Sequence, residues 1–190
     1  MIELSQNLLI GKGKKRLCYK HPEEGNKCIK ITYNRDRRTS AGVKRELRYL
    51  HKYTHKKRKL AVIPKYYGKV VTNLGEGYIF ELVLDYDGTV SQNLCDYLVH
   101  NRADERLYQK IIDLYLAFRS SKALVSDLHT GNIVINRHRP EDYRLIVIEG
   151  FGNSDFIKLG DFLWSFAKMK LKRKFKRLLI KVGLPTDSIR

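Results

Sequence analysis

The pattern of apolar residues changes at Asp85-Tyr86-Asp87-Gly88, and this break constrains the fold more than any other feature of the chain. Before it, apolar residues come in short β-prone runs separated by turn residues; after it, they recur at helical spacing. Leu4–Ile10, Leu17–Tyr19 and Lys27–Tyr33 read as strands. Gly11-Lys12-Gly13 follows the first, and His21-Pro22-Glu23-Glu24-Gly25-Asn26 makes a hairpin signal between the other two. Thr39 or Ser40 can cap a helix running to about Lys59, with Val43, Leu47 and Leu50 at i, i+4 and i+7. Tyr66–Thr72 and Gly77–Leu84 bring the strands to five. Past the break, a helix from about Asp104 to Ala123 carries Leu107, Ile111, Leu114 and Phe118 on one stripe. A loop, a hairpin (Ile133–Asn136 with Arg144–Ile148) and a last helix from about Gly160 to Val182 follow, stopped by Gly183 and Pro185. The expected class is α+β in two lobes. Residues 1–84 form a five-stranded antiparallel lobe with one helix, and residues 85–190 a compact, mainly helical lobe.

Charge bears on the partner. The chain holds 38 Lys/Arg against 20 Asp/Glu, a net +18. Residues 35–59 account for +9 and residues 165–190 for +8, leaving the remainder nearly neutral. Two basic patches on a neutral body fit a polyanion: an anionic membrane or lipopolysaccharide surface, a nucleotide or a nucleic acid. Nucleic acid ranks lower, because the tail has too few aromatics for a stacking platform. A solvated basic face is the plainer reading. In the last helix, Phe162, Phe166, Met169, Phe175, Leu178, Leu179 and Val182 trace an apolar stripe with a slip near Leu171, opposite a lysine-rich face. Three widely spaced cysteines argue against a disulfide framework and for a reducing compartment. No apolar run approaches the roughly 20 residues of a membrane span, and the N-terminus lacks the basic start of a secretion signal. The expected location is cytoplasmic, extended by the basic patches to the periphery of the inner membrane.

Several residues have chemistry to offer. Gly11-Lys12-Gly13-Lys14-Lys15-Arg16 is a glycine loop between strands, able to fold over phosphates and donate backbone N–H groups. It is not a Walker A loop, and a strand follows it where a dinucleotide fingerprint needs a helix. Alternation in Cys28-Ile29-Lys30-Ile31 places Lys30 on the face opposite the isoleucines. Glu46 falls on the inward stripe of the first helix, where a carboxylate needs a partner, and Lys30 is the natural one. Asp127 and Asn132 are five apart in a loop between a helix and a hairpin. An Asp there can orient or deprotonate a hydroxyl, and an Asn carbonyl can ligate Mg²⁺. Glu149, before Gly150-Phe151-Gly152, can complete such a site.

In this order the residues resemble the protein-kinase-like fold. Gly11 and Gly13 match its glycine loop, Cys28-Ile29-Lys30 its lysine strand, and Glu46 its pairing glutamate. Phe80-Glu81-Leu82-Val83 matches the hinge, and Val125-Ser126-Asp127-Leu128-His129-Thr130-Gly131-Asn132 the catalytic loop. Glu149-Gly150-Phe151-Gly152 stands at the metal-binding motif. The wording Asp-Leu-His-x-Gly-Asn is closer to small-molecule and lipopolysaccharide kinases. The opening Gly-x-Gly-x-x-Arg-x-Cys-Tyr-x-His-Pro, Arg45-Glu46-Leu47 and Ile63-Pro64-Lys65-Tyr66-Tyr67-Gly68 look like the PhoP regulatory network protein YrbL family across nearly the whole length.

The resemblance implies roles. The glycine-loop amides and Lys30 hold the phosphates of ATP, with Arg16, at the third glycine position, stiffening the tip or touching phosphate itself. Backbone groups of Glu81 and Val83 bind adenine under Cys18 and Cys28. Asp127 is the base, His129 faces the γ-phosphate, and Asn132 and Glu149 bind Mg²⁺ or Mn²⁺. Departures stand beside these. Val125-Ser126 replace His-Arg, Glu149 replaces Asp, and no Ala-Pro-Glu follows; Gly160-Asp161-Phe162-Leu163-Trp164-Ser165 resembles the helix start that braces the loop. The expectation is an ATP–Mg²⁺-dependent phosphotransferase acting on a hydroxyl of a sugar, lipopolysaccharide or protein. The alternative is a nucleotide-binding pseudokinase with a regulatory or scaffold role and a protein partner.

Overall fold

A computed structural model describes residues 1–34, 36–55, 61–152 and 163–189. Two compact units are present: Met1–Lys57 with Pro64–Leu84, and Arg58–Ile63 with Asp85–Arg190. Residues 61–63 join the second because Val147 donates its N–H to the Val62 carbonyl at 2.9 Å.

The first unit is built on an antiparallel five-stranded sheet. Its strands are β1 (Leu9–Lys12), β2 (Arg16–Lys20), β3 (Lys27–Thr32), β4 (Tyr66–Thr72) and β5 (Gly75–Glu81), in the order β1-β2-β3-β5-β4. Register gives its two faces opposite characters. Tyr19 pairs with Ile29, which pairs with Ile79; these and Ile31 pack with Leu4 into an apolar core. Gly77 sits inside that core. A Cβ there would lie 2.7 Å from Ile29 and 2.9 Å from Ile31, so glycine is the residue that lets the strands close. The opposite face carries Arg16, Cys18, Cys28, Lys30, Tyr78 and Phe80, since Cys18 pairs with Lys30, Lys30 with Tyr78, and Cys28 with Phe80.

Helix α1 (Arg37–His55) begins two residues before the expected cap. Asp36 is the cap: its carboxylate accepts from the Thr39 N–H at 2.7 Å and from the Thr39 hydroxyl at 2.9 Å. The first strand also starts late. Ile2 bridges to Thr72, Leu4 donates its N–H to the Asn73 side chain, and a 3₁₀ turn occupies Gln6–Leu8 before β1 begins. The Leu4–Ile10 run is thus apolar because it lines the core, not because it is all strand.

The second unit holds a short strand β6 (Gln92–Asn93), helices α2 (Leu94–His100) and α3 (Glu105–Ser120), the hairpin β7 (Ile133–Arg139) and β8 (Asp142–Val147), and helix α4 (Leu163–Lys181). The strands pair as β6-β7-β8. Asn93 caps α2 by accepting from the Asp96 N–H, and Asp104 caps α3 by accepting from the Leu107 N–H at 2.8 Å. Tyr115 and Phe118 of α3 pack on Phe175 of α4, with ring centroids 5.3 and 6.1 Å apart. The buried stripe of α4 is Leu171, Phe175, Leu178 and Leu179, at i, i+4, i+7 and i+8. The sequence stripe is corrected here: Phe166 and Met169 point to solvent, 51% and 66% exposed, and Leu171 takes the inward place. Phe162, with Gly160 and Asp161, lies outside the described residues. Gly183, at φ +77°, ends α4; its N–H reaches the Ile180 carbonyl, and the Leu184 N–H reaches that of Leu179.

The break at Asp85 is an anchored turn. Its buried carboxylate accepts from the Arg137 N–H at 3.0 Å, from Arg137 Nε at 2.7 Å and from the Ser91 hydroxyl. The hydrogen bond to Asp85, and then its charge, raise the Arg137 guanidinium above its ordinary value. Asp85→Ala takes the acceptor from the Arg137 amide and from the Ser91 hydroxyl, which keeps the bond it accepts from Asn136, while the half-exposed guanidinium regains water. The expected loss is about 2 kcal/mol in urea denaturation, with the unfolding slope unchanged.

Candidate functional site

In the first unit, β1 and β2 close a tight turn over Gly13, Lys14 and Lys15. The Gly13 N–H donates to the Arg16 carbonyl at 2.9 Å, and the Tyr33 hydroxyl donates to the Gly13 carbonyl at 2.7 Å. The amide of Gly13 is therefore spent on the hairpin. Neither Gly11 nor Gly13 has a positive φ.

Arg16, at the third glycine position, is turned inward. Its Nη2 lies 2.8 Å from Glu46 Oε2, with only 6% and 9% of the two side chains exposed. The sequence offers Lys30 as the partner of Glu46; the Arg16 contact is one it did not announce. The signal was alternation: Arg16 shares a face with Cys18, and so with Cys28 and Lys30. Lys30 is buried, its ammonium 5.0 Å above the Phe80 ring. Cys18 is half-buried and Cys28 buried. Glu81 ends β5 with its N–H donated to the Lys65 carbonyl at 2.8 Å. Its carbonyl accepts from the Cys28 thiol, 3.9 Å away. Val83 lies beyond the end of β5.

In the second unit the loop Val125–Asn132 is held at both ends. The Gly150 carbonyl accepts the Ser126 N–H at 2.6 Å, the Ser126 hydroxyl at 3.0 Å and the Asp127 N–H at 3.2 Å. Val125 and Phe151 form an antiparallel bridge, and the Gly152 N–H donates to the Leu124 carbonyl. At the far end Asn132 Nδ2 donates to the Asp127 carbonyl at 3.1 Å. The Asp127 backbone is pinned while its side chain is 66% exposed. His129 Nδ1 accepts the Gly131 N–H at 3.2 Å, so a neutral ring carries its proton on Nε2, 3.8 Å from Asp127 Oδ2. Lys174 of α4, expected on the basic face that is either solvated or docked on an anionic surface, donates its ammonium to the Ser126 carbonyl.

A divalent ion has two candidate ligands here. Because Asn132 turns its amide nitrogen to the loop, its Oδ1 is left as an oxygen donor. Glu149 follows two residues after β8. Among the described residues no cluster of three or more His, Cys, Asp or Glu could hold a metal. This donor set fits Mg²⁺, which takes one or two protein oxygens and fills the rest with water and phosphate.

A five-stranded sheet bearing a buried lysine, followed by a helical unit whose Asp…Asn loop abuts a hairpin, defines a protein-kinase-like fold. The solved structure of WbdD with the kinase inhibitor LY294002 agrees, with a TM-score of 0.63 and 12% identity over 93% of this chain. This chain spans 38% of that protein's length, so the likeness concerns the fold. The uncharacterized protein YrbL of Escherichia coli (strain K12) is 31% identical over 190 residues, covering 97% of this chain and 89% of that protein. YrbL of Shigella flexneri gives the same figures. The family described as PhoP regulatory network protein YrbL matches residues 2–183, and the chain belongs to it.

Gly150 is the most exacting position of the loop. Its φ is +81°, and a Cβ would lie 2.5 Å from the Asp127 carbonyl oxygen and 3.0 Å from its Cβ. Both the backbone conformation and the contact exclude a side chain. Gly150→Ala is expected to cost about 2–3 kcal/mol in thermal or urea unfolding. It also frees the amides of Ser126 and Asp127, which hydrogen exchange reads directly.

Proposed function

We propose that this chain is an ATP–Mg²⁺-dependent phosphotransferase acting on a hydroxyl of a sugar, lipopolysaccharide or protein. The observation that carries the reading is Asp127, a carboxylate open to solvent on a backbone fixed from both sides. That is the geometry a base needs to meet an incoming hydroxyl without reorganising. Lys30 would hold phosphate oxygens, and the Glu81 carbonyl and Val83 backbone would take the adenine between Cys18 and Cys28. Asn132 and Glu149 would hold the ion, which when bound draws charge from the phosphoryl oxygens. His129, oriented by Gly131, would present Nε2–H beside Asp127. Arg16 would act through Glu46, holding α1 on the sheet.

A second reading, a nucleotide-binding pseudokinase with a regulatory or scaffold role, draws on the Gly13 amide. Spent on the hairpin, it is lost to phosphate. Asp127→Asn separates the two readings. Under the phosphotransferase reading it lowers γ-phosphate turnover at least a hundredfold and leaves ATP-induced stabilisation intact. At a hundredfold excess over Kd, that stabilisation is about 2.7 kcal/mol. Stabilisation without turnover in the unaltered protein supports the pseudokinase. No stabilisation by ATP with Mg²⁺ or Mn²⁺ excludes both.

The partner surface follows from α4. Among the described residues no helix is long and apolar enough to cross a membrane. Phe166, Met169 and Ile180 nevertheless stand exposed on a helix with no acidic residue, beside Arg173 and Arg177, and Lys170 lies 4.6 Å over the Phe166 ring. Apolar side chains among cations suit an anionic lipid surface better than a nucleic acid, which offers phosphates and no hydrocarbon. Each cation near such a surface contributes about 1 kcal/mol, so Arg173→Glu with Arg177→Glu should weaken binding to anionic vesicles at least tenfold. Sedimentation at low salt with no preference for anionic over neutral vesicles refutes the docking, and binding to lipopolysaccharide alone assigns the face to that polymer.

A further inference from the structure

Helix α4 carries eight Lys/Arg and no acid. Lysines on such a helix normally lay their stems along the protein and put the ammonium in water. Lys174 does the reverse. It is half-buried, and its ammonium goes to the Ser126 carbonyl, one residue from Asp127. Burial pushes it below its ordinary value; the Asp127 carboxylate opposes this, and Arg173, Arg177 and Lys170 add to it. Both ends of the contact are rigid. The next residue, Phe175, is locked between Tyr115 and Phe118, and Ser126 is locked on the Gly150 carbonyl.

A bracket for the loop would need one neutral donor. An ammonium brings three donors and a full charge, of which the Ser126 carbonyl uses one donor. The rest of its charge is half-buried between the Asp127 carboxylate and three like charges, a setting in which a phosphoryl group brought to Asp127 meets the ammonium as well. We propose that Lys174 is a phosphate-binding residue of this site, its ammonium meeting the transferable phosphoryl group beside Asp127. The proposal rests on the phosphotransferase reading and adds to it a residue from the C-terminal helix.

Calorimetry with Mg²⁺–ATP and Mg²⁺–ADP on the full chain tests it. The unaltered protein should prefer ATP. Lys174→Gln, which keeps a donor and loses the charge, should bind ATP about tenfold more weakly with ADP affinity unchanged, and Lys174→Arg should restore most of the difference. If Lys174→Gln does not fold, acylation of Lys174 in the unaltered protein, read by mass spectrometry, replaces it: ATP should slow the labelling more than ADP does. An ATP preference unchanged in Lys174→Gln, or labelling indifferent to ATP, overturns the role of Lys174 and leaves the phosphotransferase reading standing. An unaltered protein that binds both nucleotides equally also overturns that role alone. One that binds neither overturns the phosphotransferase reading and this proposal with it.

Discussion

Three donors converge on the carbonyl of Gly150, and the shape of the Asp127 loop depends on that junction. A carbonyl has two lone pairs; here it serves two consecutive backbone amides and the Ser126 hydroxyl. Such convergence brings two backbones so close that a Cβ at residue 150 would collide with the Asp127 carbonyl. The glycine therefore does two things: it adopts the left-handed conformation that aims its carbonyl at the loop, and it leaves the room for the loop to come. The bridge of Val125 with Phe151 and the bond of Asn132 to the Asp127 carbonyl close the loop on either side. A solvent-exposed carboxylate here gains precision from its backbone, and the His129 ring pairs with it at 3.8 Å.

The first unit solves a different problem. One face of its sheet is an apolar core; the other buries Arg16, Lys30 and Glu46. A buried ion pair is weak evidence for stability, because desolvation offsets most of the attraction. Its stronger effect shows on loss: removing one member of such a pair leaves a buried charge without that partner and costs about 3–5 kcal/mol. The proposed phosphate-binding role of Lys30 draws on this face, which holds charges where hydrocarbon would pack.

Much of this was legible in the sequence. The five strands, the turn at Asp85, the hairpin before α4 and the stripe of α3 all follow from periodicity and turn residues, because those elements are long or sharply punctuated. Helix α2 was not foreseen: seven residues mixing Cys95, Asp96 and Tyr97 make too short a pattern, although Asn93 offered a cap. Glu46 was recognisably misplaced on an apolar stripe, but its contact with Arg16 was not readable. Arg16 pairs with Thr32 and Cys18 with Lys30, so both cations occupy the same sheet face two residues apart, and alternation alone does not single out Arg16. The stripe of α4 was misdrawn for a related reason. With Phe166 and Met169 on one side and Leu171 on another, two apolar faces compete, and only the aromatic contacts of Phe175 decide which is inward. The junction at Gly150 rests on a backbone conformation that no side-chain pattern announces.

The charge on α4 works against the helix that carries it. Lys168–Lys172, Lys170–Lys174, Lys172–Lys176, Arg173–Arg177 and Arg177–Lys181 are all like-charge pairs four residues apart on one helix. Each such pair is unfavourable by about 0.2–0.5 kcal/mol, and no acid on the helix offsets them. The helix forms because Leu171, Phe175, Leu178 and Leu179 bury and because Gly183 satisfies its last carbonyls. The fold therefore gains nothing from the repulsion and carries it against its own stability. An anion relieves the repulsion wherever it binds, and the cations are already sorted for two kinds of anion. Arg173 and Arg177 lie outward beside Phe166 and Met169, as a broad surface with hydrocarbon would require. Lys174 lies inward on the Ser126 carbonyl, as a single phosphoryl group would require. On the proposed reading, one helix serves both the surface that presents the acceptor and the site that modifies it, so that docking and phosphate binding share an element whose position is set by the core of the second unit.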